Sequence, residues 1–357
     1  MDMSYQPRGG PELAWAKPLS IDLLLKVLNV TFLHPFVAWV IPLCMRAQAY
    51  PWDHIAIRTS IGWASLLTLL FFLGVLNKQV AYSKARQVDL SEEVIVITGG
   101  ASGLGLLIAE VYGMRGASVA VLDVQELESG EARGVSVYKC DVGDKEQVKK
   151  AAIEIERDLG TPTVLINNAG VVAGKSLLDL SIDDIERTIR VNLLGHFYTI
   201  KTFLPGMVRS KRGTIVTISS VLGQIGAANL TDYAASKAGI TALHKSLRAE
   251  LRKTPEIKTV LVSPGQLTTP MFNGVRTPSS FFGPVLEPVD VAREVIAAID
   301  AGSDQDLAMP LYARWIDWMN VMPVGVQAIL RKVSGVDRAM STFVGRTGHS
   351  SEKESLI

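Results

Sequence analysis

The chain has 357 residues, 48% of them hydrophobic, which is enough to bury a sizeable core in one large domain or two. A net charge of +1 excludes the broad positive field of a nucleic-acid binder, so no nucleic acid is expected as a partner. Two cysteines, Cys44 and Cys140, do not indicate a disulfide framework and favour a reducing compartment.

Mean hydropathy is +0.25, high for a soluble enzyme, and the apolar excess lies early in the chain. Residues 1–20 are polar, rich in Pro and Gly, and expected to be loose. A membrane-attachment region is expected over 21–80. Within it, 28–44 is apolar but carries Asn29, His34, Pro35 and Pro42, and the prolines argue against a straight spanning helix. Spanning, re-entrant and surface-lying arrangements all fit that stretch. Residues 61–76 carry no charge, and Thr59 and Ser60 extend the run to about the ~17–25 residues a span needs. A transmembrane helix is therefore predicted over 59–76. A buried core helix is the competing reading, and an apolar surface all round argues against it. The run lacks the early position and cleavage site of a signal peptide. Arg58 and Lys78 flank it, with Trp63 near one end. Lys78, Lys84 and Arg86 follow it closely, which puts the larger domain on the cytosolic side.

From Val94 the pattern becomes strands alternating with helices. Residues 94–98 form a short β-branched run suited to a parallel strand covered on both faces. Gly99, Gly103 and Gly105 follow, then an apolar-periodic stretch to Arg115. Strand, glycine turn and helix together let backbone approach a pyrophosphate at a helix N-terminus. The next strand, 118–122, ends at Asp123, where a carboxylate can bind ribose hydroxyls and would repel a 2′-phosphate. Further strands are predicted at 135–139, 163–166, 213–219, 257–263 and 307–309. Helices are predicted at 144–159, at 182–208 with Asn192 inside it, and at 288–301. The fold class is α/β, a doubly wound parallel sheet of Rossmann type, with an apolar N-terminal attachment segment. Its core domain is expected over 90–310. Ligands then sit at the C-terminal ends of the strands.

The helix over 231–245 carries Tyr233 and Lys237, four residues apart and so on one face. A phenol is a poor base near neutral pH, with a pKa of about 10, and a nearby ammonium favours its ionised form. Tyr-x-x-x-Lys is common by chance; Ser220 and the upstream glycine turn give it weight.

Read in order, 98–105 (TGGASGLG), 167–170 (NNAG), Ser220, 233–237 (YAASK) and Pro264-Gly265 with Thr269 closely resemble the short-chain dehydrogenase/reductase family. The resemblance covers about 94–309; Leu104, where many members have isoleucine, is a mild departure. VNLLGHF at 191–197, KTFLPGM at 201–207 and FGPVLEP at 282–288 resemble a membrane-attached branch. That branch holds retinol dehydrogenases and lipid-droplet 17β-hydroxysteroid dehydrogenases. The resemblance implies Tyr233 as general acid/base, Lys237 as the group that lowers its pKa and binds the nicotinamide ribose, and Ser220 as donor to the reacting oxygen. Asn192 would hold a water linking Lys237 to solvent. Gly99, Ser102, Gly103, Leu104 and Gly105 would wrap the pyrophosphate. Asn168, Ala169 and Gly170 would line the adenosine side, with Asp141 and Val142 near the adenine. Pro264, Gly265 and Thr269 would hold the carboxamide end. Asn192 as a buried kink residue and Asp141 as a helix cap are the plainer alternatives.

The resemblance implies NAD as cofactor, with NADP disfavoured by Asp123, and no metal. It also implies an endoplasmic reticulum or lipid-droplet membrane, and a homodimer is possible. A loop over 271–286 carries Phe272, Phe281 and Phe282, with Arg276 its only charge between Pro270 and Pro284. Residues 311–344 form an apolar and amphipathic region with Trp315, Trp318, Met319, Met322 and Val326, expected as a portal on the membrane or a packing surface. Residues 345–357 are expected to be disordered. Three functions compete: an NAD-dependent oxidoreductase on a lipophilic alcohol, an NADPH-dependent carbonyl reductase, and a membrane scaffold without turnover.

Overall fold

The computed structural model describes residues 20–275, 281 and 283–344. The expected loose N-terminus, Arg276, Phe282 and the expected disordered tail lie outside the described residues, apart from Ser20. The chain divides into two units, residues 1–81 with 280–282, and the remainder from Tyr82 onward.

In the first unit, α1 (Ile21–Val30) and α2 (Pro35–Ala47) meet at 54° across a short break, and α3 (Ile55–Ala81) follows. Pro35 opens α2 at a position where its missing N–H costs nothing. Pro42 is accommodated within the helix. α2 packs on α3 through Ala38, Ala64 and Leu67, and small residues at such a seam let helices approach closely. Trp39 Nε1 donates to Thr68 Oγ1 at 3.0 Å across the pair. α3 has 27 residues, nine more than the predicted 59–76, and is long and apolar enough to cross a membrane. Its side chains are mostly exposed: Leu69, Leu70, Phe71, Phe72 and Leu73 each show more than half of their surface.

The second unit is built on seven parallel strands. These are β1 (Val94–Thr98), β2 (Ser118–Asp123), β3 (Val135–Lys139), β4 (Val164–Asn167), β5 (Gly213–Ile218), β6 (Ile257–Pro264) and β7 (Gln305–Met309). Their spatial order is β3-β2-β1-β4-β5-β6-β7. The crossovers reverse direction between β1 and β4, which opens a crevice above that pair of strands. Alternate residues of each strand feed two cores. Ile95 and Ile97 face α4 (Gly103–Met114) and α10 (Pro288–Asp300). Val94 and Val96 face the other side, with α5 (Lys145–Asp158), α7 (Gly195–Ser210) and α9 (Thr231–Glu250). Each fully buried aliphatic side chain here contributes roughly 1.5–3 kcal/mol.

The predicted helix over 182–208 is interrupted. α6 (Ile182–Ile189) runs into a π-turn at Arg190–Leu194 before α7 begins. One widened turn does not alter the apolar periodicity enough to show in the sequence, and such turns gather at functional sites. α8 (Leu222–Ile225) and α11 (Val324–Ser334) complete the helices.

The second unit begins before the expected position 90. Arg86 donates to Glu93 at 2.8 Å and to Thr214 at 2.9 Å, and Ser83 donates to Asp304 at 2.7 Å. Glu93 is 1% exposed and also takes Arg212 at 2.8 Å and the Thr163 hydroxyl. This polar knot ties residues 82–93 to the N-terminal edge of the sheet, the edge away from the crevice.

Candidate active site

The strand ends open into one cleft of about 790 Å³. At its floor β1 hands over to the glycine turn. Gly99 and Gly103 have φ of +64° and +56°, and a Cβ on Gly105 would stand 2.4 Å from Gly99 O and 2.6 Å from Asn168 Nδ2. No side chain fits at Gly105, so the start of α4 packs directly against Gly99 and Asn168. Thr98 Oγ1 accepts from the backbone N–H groups of Asn168 and Ala169 at 3.0 and 3.1 Å. Asn168 Nδ2 donates back to Gly99 O at 2.8 Å. The ends of β1 and β4 are thus locked as one surface. At the end of β2, Asp123 Oδ2 accepts from Ala101 N at 3.0 Å and Oδ1 from Gln125 N at 3.1 Å. Each oxygen keeps acceptor capacity for a ligand. Asp141 Oδ1 accepts from Gly143 N at 2.8 Å beside buried Val142.

At the other end, α9 places Tyr233 and Lys237 on the cleft, both 4% exposed. Lys237 Nζ donates to Ile218 O at 2.9 Å and lies 5.6 Å from the centroid of the Tyr233 ring. Burial lowers the ammonium to about 8. Burial also pushes the Tyr233 phenol up, and the hydrogen bond from Ser220 acts against that rise. Ser220 Oγ accepts from Leu222 N at 3.2 Å, which leaves its proton for the phenol oxygen. Ser219, its neighbour, is turned away and bonds Lys237 O at 3.1 Å, holding the helix. Asn192 is fully buried. Its Oδ1 accepts from Val171 N at 2.8 Å, and its Nδ2 donates to Val171 O at 2.9 Å and Ser236 Oγ at 3.1 Å. That side chain clamps the loop after β4 to α9 and does not line the cleft.

The short chain dehydrogenase family model matches residues 93–279. The chain belongs to that family. This short-chain dehydrogenase is 33% identical to epidermal retinol dehydrogenase 2 of Mus musculus over 79% of its own length and 97% of that protein's. It is 32% identical to retinol dehydrogenase 10 of Homo sapiens over 74% of its own length and 88% of the relative's. Among solved structures, the ligand-free aldohexose dehydrogenase of Thermoplasma acidophilum superposes with a TM-score of 0.53 at 27% identity. That match covers 63% of this chain and 94% of the other. The protein is an oxidoreductase of the retinol dehydrogenase branch, with a small-molecule substrate.

Family and fold imply a nicotinamide dinucleotide, and the residues fit one: the turn glycines Gly99 and Gly103, both at positive φ, and a carboxylate at Asp123 line one long cleft. Of the catalytic and cofactor-binding residues expected from sequence, all but Gly105 and Asn192 line it. Sequence reasoning missed Asp183, Glu186, Arg187 and Arg190, which also line it. Their spacing, i, i+3, i+4 and i+7, is one face of a helix and was the available signal. It also missed His196, 2% exposed and held neutral near pH 7 because burial, then the charge of Lys237, lowers it to about 3.

Proposed function

We propose that this dehydrogenase is a membrane-attached, NAD-dependent enzyme that interconverts a lipophilic alcohol and its carbonyl compound. The observation that carries the reaction is the buried trio at one end of the cleft, Ser220 bonded to the Tyr233 phenol with Lys237 four residues along the same helix. In oxidation the ionised phenol of Tyr233 takes the proton of the substrate hydroxyl, and Ser220 donates to the substrate oxygen. In reduction Tyr233 returns that proton to the carbonyl oxygen. Lys237, while protonated, favours the phenolate and is aligned for a ribose hydroxyl. A nicotinamide bound there accepts or supplies the hydride. Asn192 acts on this reading by fixing the loop at Gly170 and Val171. General acid–base work of this kind is typically worth ~10²–10⁴-fold.

NAD is favoured because Asp123 is followed by Val124, Gln125 and Glu126, none of them basic. Arg187 and Arg190 on the cleft wall favour the NADPH-dependent reductase as second reading, although Arg190 also meets Glu186 at 3.4 Å. Gly99, Ser102, Gly103, Leu104 and Gly105 would hold the pyrophosphate. Asn168, Ala169, Gly170, Asp141 and Val142 would hold the adenosine side, and Pro264, Gly265 and Thr269 the carboxamide.

Membrane attachment is supported by α3, about ~40 Å long at 1.5 Å per residue against a hydrocarbon core of ~30 Å. It is supported again by Trp315, Trp318, Val321, Val324, Ile329 and Val333, all more than half exposed on the second unit. Endoplasmic reticulum or lipid droplet is the compartment proposed, with the dehydrogenase unit in the cytosol. Solubilised membrane fractions should be assayed with NAD and NADP against retinoids, steroids, long-chain alcohols and a short polar alcohol. Preference for a lipophile with NAD is the expected result; better kcat/KM for the polar alcohol overturns the substrate class.

A further inference from the structure

The stretch 336–344 lies beyond the residues that the family model matches. A 3-10 turn over Val336–Thr342 follows α11 and crosses the loops beside Tyr233. Its start is clamped: Arg331 pairs with Asp337 at 2.5 Å, Asp337 accepts from Ala228 N at 3.3 Å, and Arg331 donates to Ile225 O at 2.9 Å. Its end is bonded to the loop after β6. Val344 N donates to Asn273 O at 3.0 Å, and the Thr342 hydroxyl donates to Gly274 O at 2.5 Å. Gly274, at φ +84°, lets the two backbones touch, because a Cβ there would stand 2.2 Å from Thr342 O. Between these ends Met340 is 5% exposed and shares an apolar cluster with Leu230 and Tyr233, against which Phe272 and Phe343 pack. Phe272 stands edge-on to the Tyr233 ring, centroids 5.9 Å apart. Phe272 lines the cleft, whereas Met340 and Phe343 stand behind it.

We infer that residues 336–344 are a positioning strap for the substrate wall, with Met340 and Phe343 holding Phe272 in the place that decides which carbon skeleton reaches Tyr233. Phe272 ends a three-residue turn, Pro270–Phe272, too short to fix an aromatic ring by its own backbone bonds. The ring is held by what packs behind it. Truncating Met340 leaves a void into which Phe272 can move, since core sites relax into such spaces only in part. The wall then recedes and bulky skeletons gain over slim ones.

This inference rests on the alcohol–carbonyl reading, and its test separates the two. Full-length protein in detergent would be compared with Met340→Ala, Phe343→Ala and Met340→Leu. Three quantities are read: NADH affinity by fluorescence, hydrogen exchange of residues 270–275, and kcat and KM for a sterol and for a linear long-chain alcohol. The two alanine variants should keep NADH affinity within about twofold and exchange faster at 270–275. They should also raise the sterol-to-linear ratio of kcat/KM about fivefold or more through KM, with Met340→Leu close to wild type. Unchanged exchange overturns the strap. So does faster exchange with an unchanged ratio, which leaves only a structural role, and so does a loss of NADH binding, which marks a global defect. A wild-type chain that binds NADH and oxidises neither alcohol overturns the alcohol reading, and exchange at 270–275 then decides the strap by itself.

Discussion

At the scale of single residues the chemistry depends on how burial is offset. Tyr233 is buried, which disfavours its phenolate, and Ser220 supplies the hydrogen bond that favours it. Tyr233→Phe should lower kcat by ~10²–10⁴-fold, with NADH binding by fluorescence unchanged; near wild-type turnover would remove Tyr233 from the mechanism. Ser220→Ala should do more than slow the reaction. Loss of that bond raises the phenol pKa, so the rising limb of kcat/KM for alcohol oxidation should move to higher pH. A profile that falls in height without moving would assign Ser220 to the substrate oxygen alone. Asp123→Ser with Val124→Arg should turn preference from NAD towards NADP, read as a ratio of kcat/KM values. If the wild type already prefers NADP, the ribose argument is wrong. These positions were legible because Asp123 closes a strand, Ser220 follows one and Tyr233 shares a helix face with Lys237. Met340 was not, since no local pattern marks a residue whose partner, Tyr233, lies more than a hundred positions away. For Asn192 the buried-kink alternative agrees with the π-turn at Arg190–Leu194, but its partners Val171 and Ser236, distant in sequence, were not legible.

Elements show the same division. The strands were legible as β-branched runs, and the parallel, doubly wound sheet from their alternation with helices; the strand order comes from the structure alone. Their ends were misplaced by a residue or two, as at β4, which closes at Asn167 rather than Ile166. Asn167 carries the ladder one residue further because it pairs with Thr98 and Thr217. The polar knot at Glu93 could not be foreseen, since Arg86, Thr163 and Arg212 come from separate segments. Burial alone would raise the Glu93 carboxyl, but the bonds from Arg86, Thr163 and Arg212 outweigh it and hold it below the ordinary range. The sign follows from that depression. The stabilisation is complete above the unfolded glutamate pKa of about 4.3 and is lost as pH falls through the lower folded value. Glu93→Ala, which leaves Arg86 and Arg212 without their carboxylate, should cost ~3–5 kcal/mol in urea unfolding near neutral pH. The cost should shrink below pH 4. A constant difference down to pH 2 would show that packing, not charge, was lost.

For the whole molecule, the sequence placed an apolar region ahead of an α/β domain, and the structure divides the chain at Tyr82. The expected attachment region ends at 80, beside that division, but the expected core start at 90 left out 82–89, because Ser83 and Arg86 look like ordinary linker residues until Asp304 and Glu93 are seen to hold them. The helices of the first unit bury little beyond the Ala38–Ala64 seam, and the proposed membrane attachment would cover their remaining apolar surface. Carbonate extraction should leave the full-length chain in the membrane pellet, and protease added outside sealed microsomes should digest the dehydrogenase unit. Release into the supernatant would refute attachment, and full protection would reverse the orientation. The crevice between β1 and β4 has a separate consequence. It arises because two crossovers leave in opposite directions, so the sheet sets the cleft and the Tyr233 phenol is not what holds it open. A chain that has lost the Tyr233 phenol should therefore still take up dinucleotide, and mixed with the active enzyme it would draw on the same cofactor pool while turning nothing over.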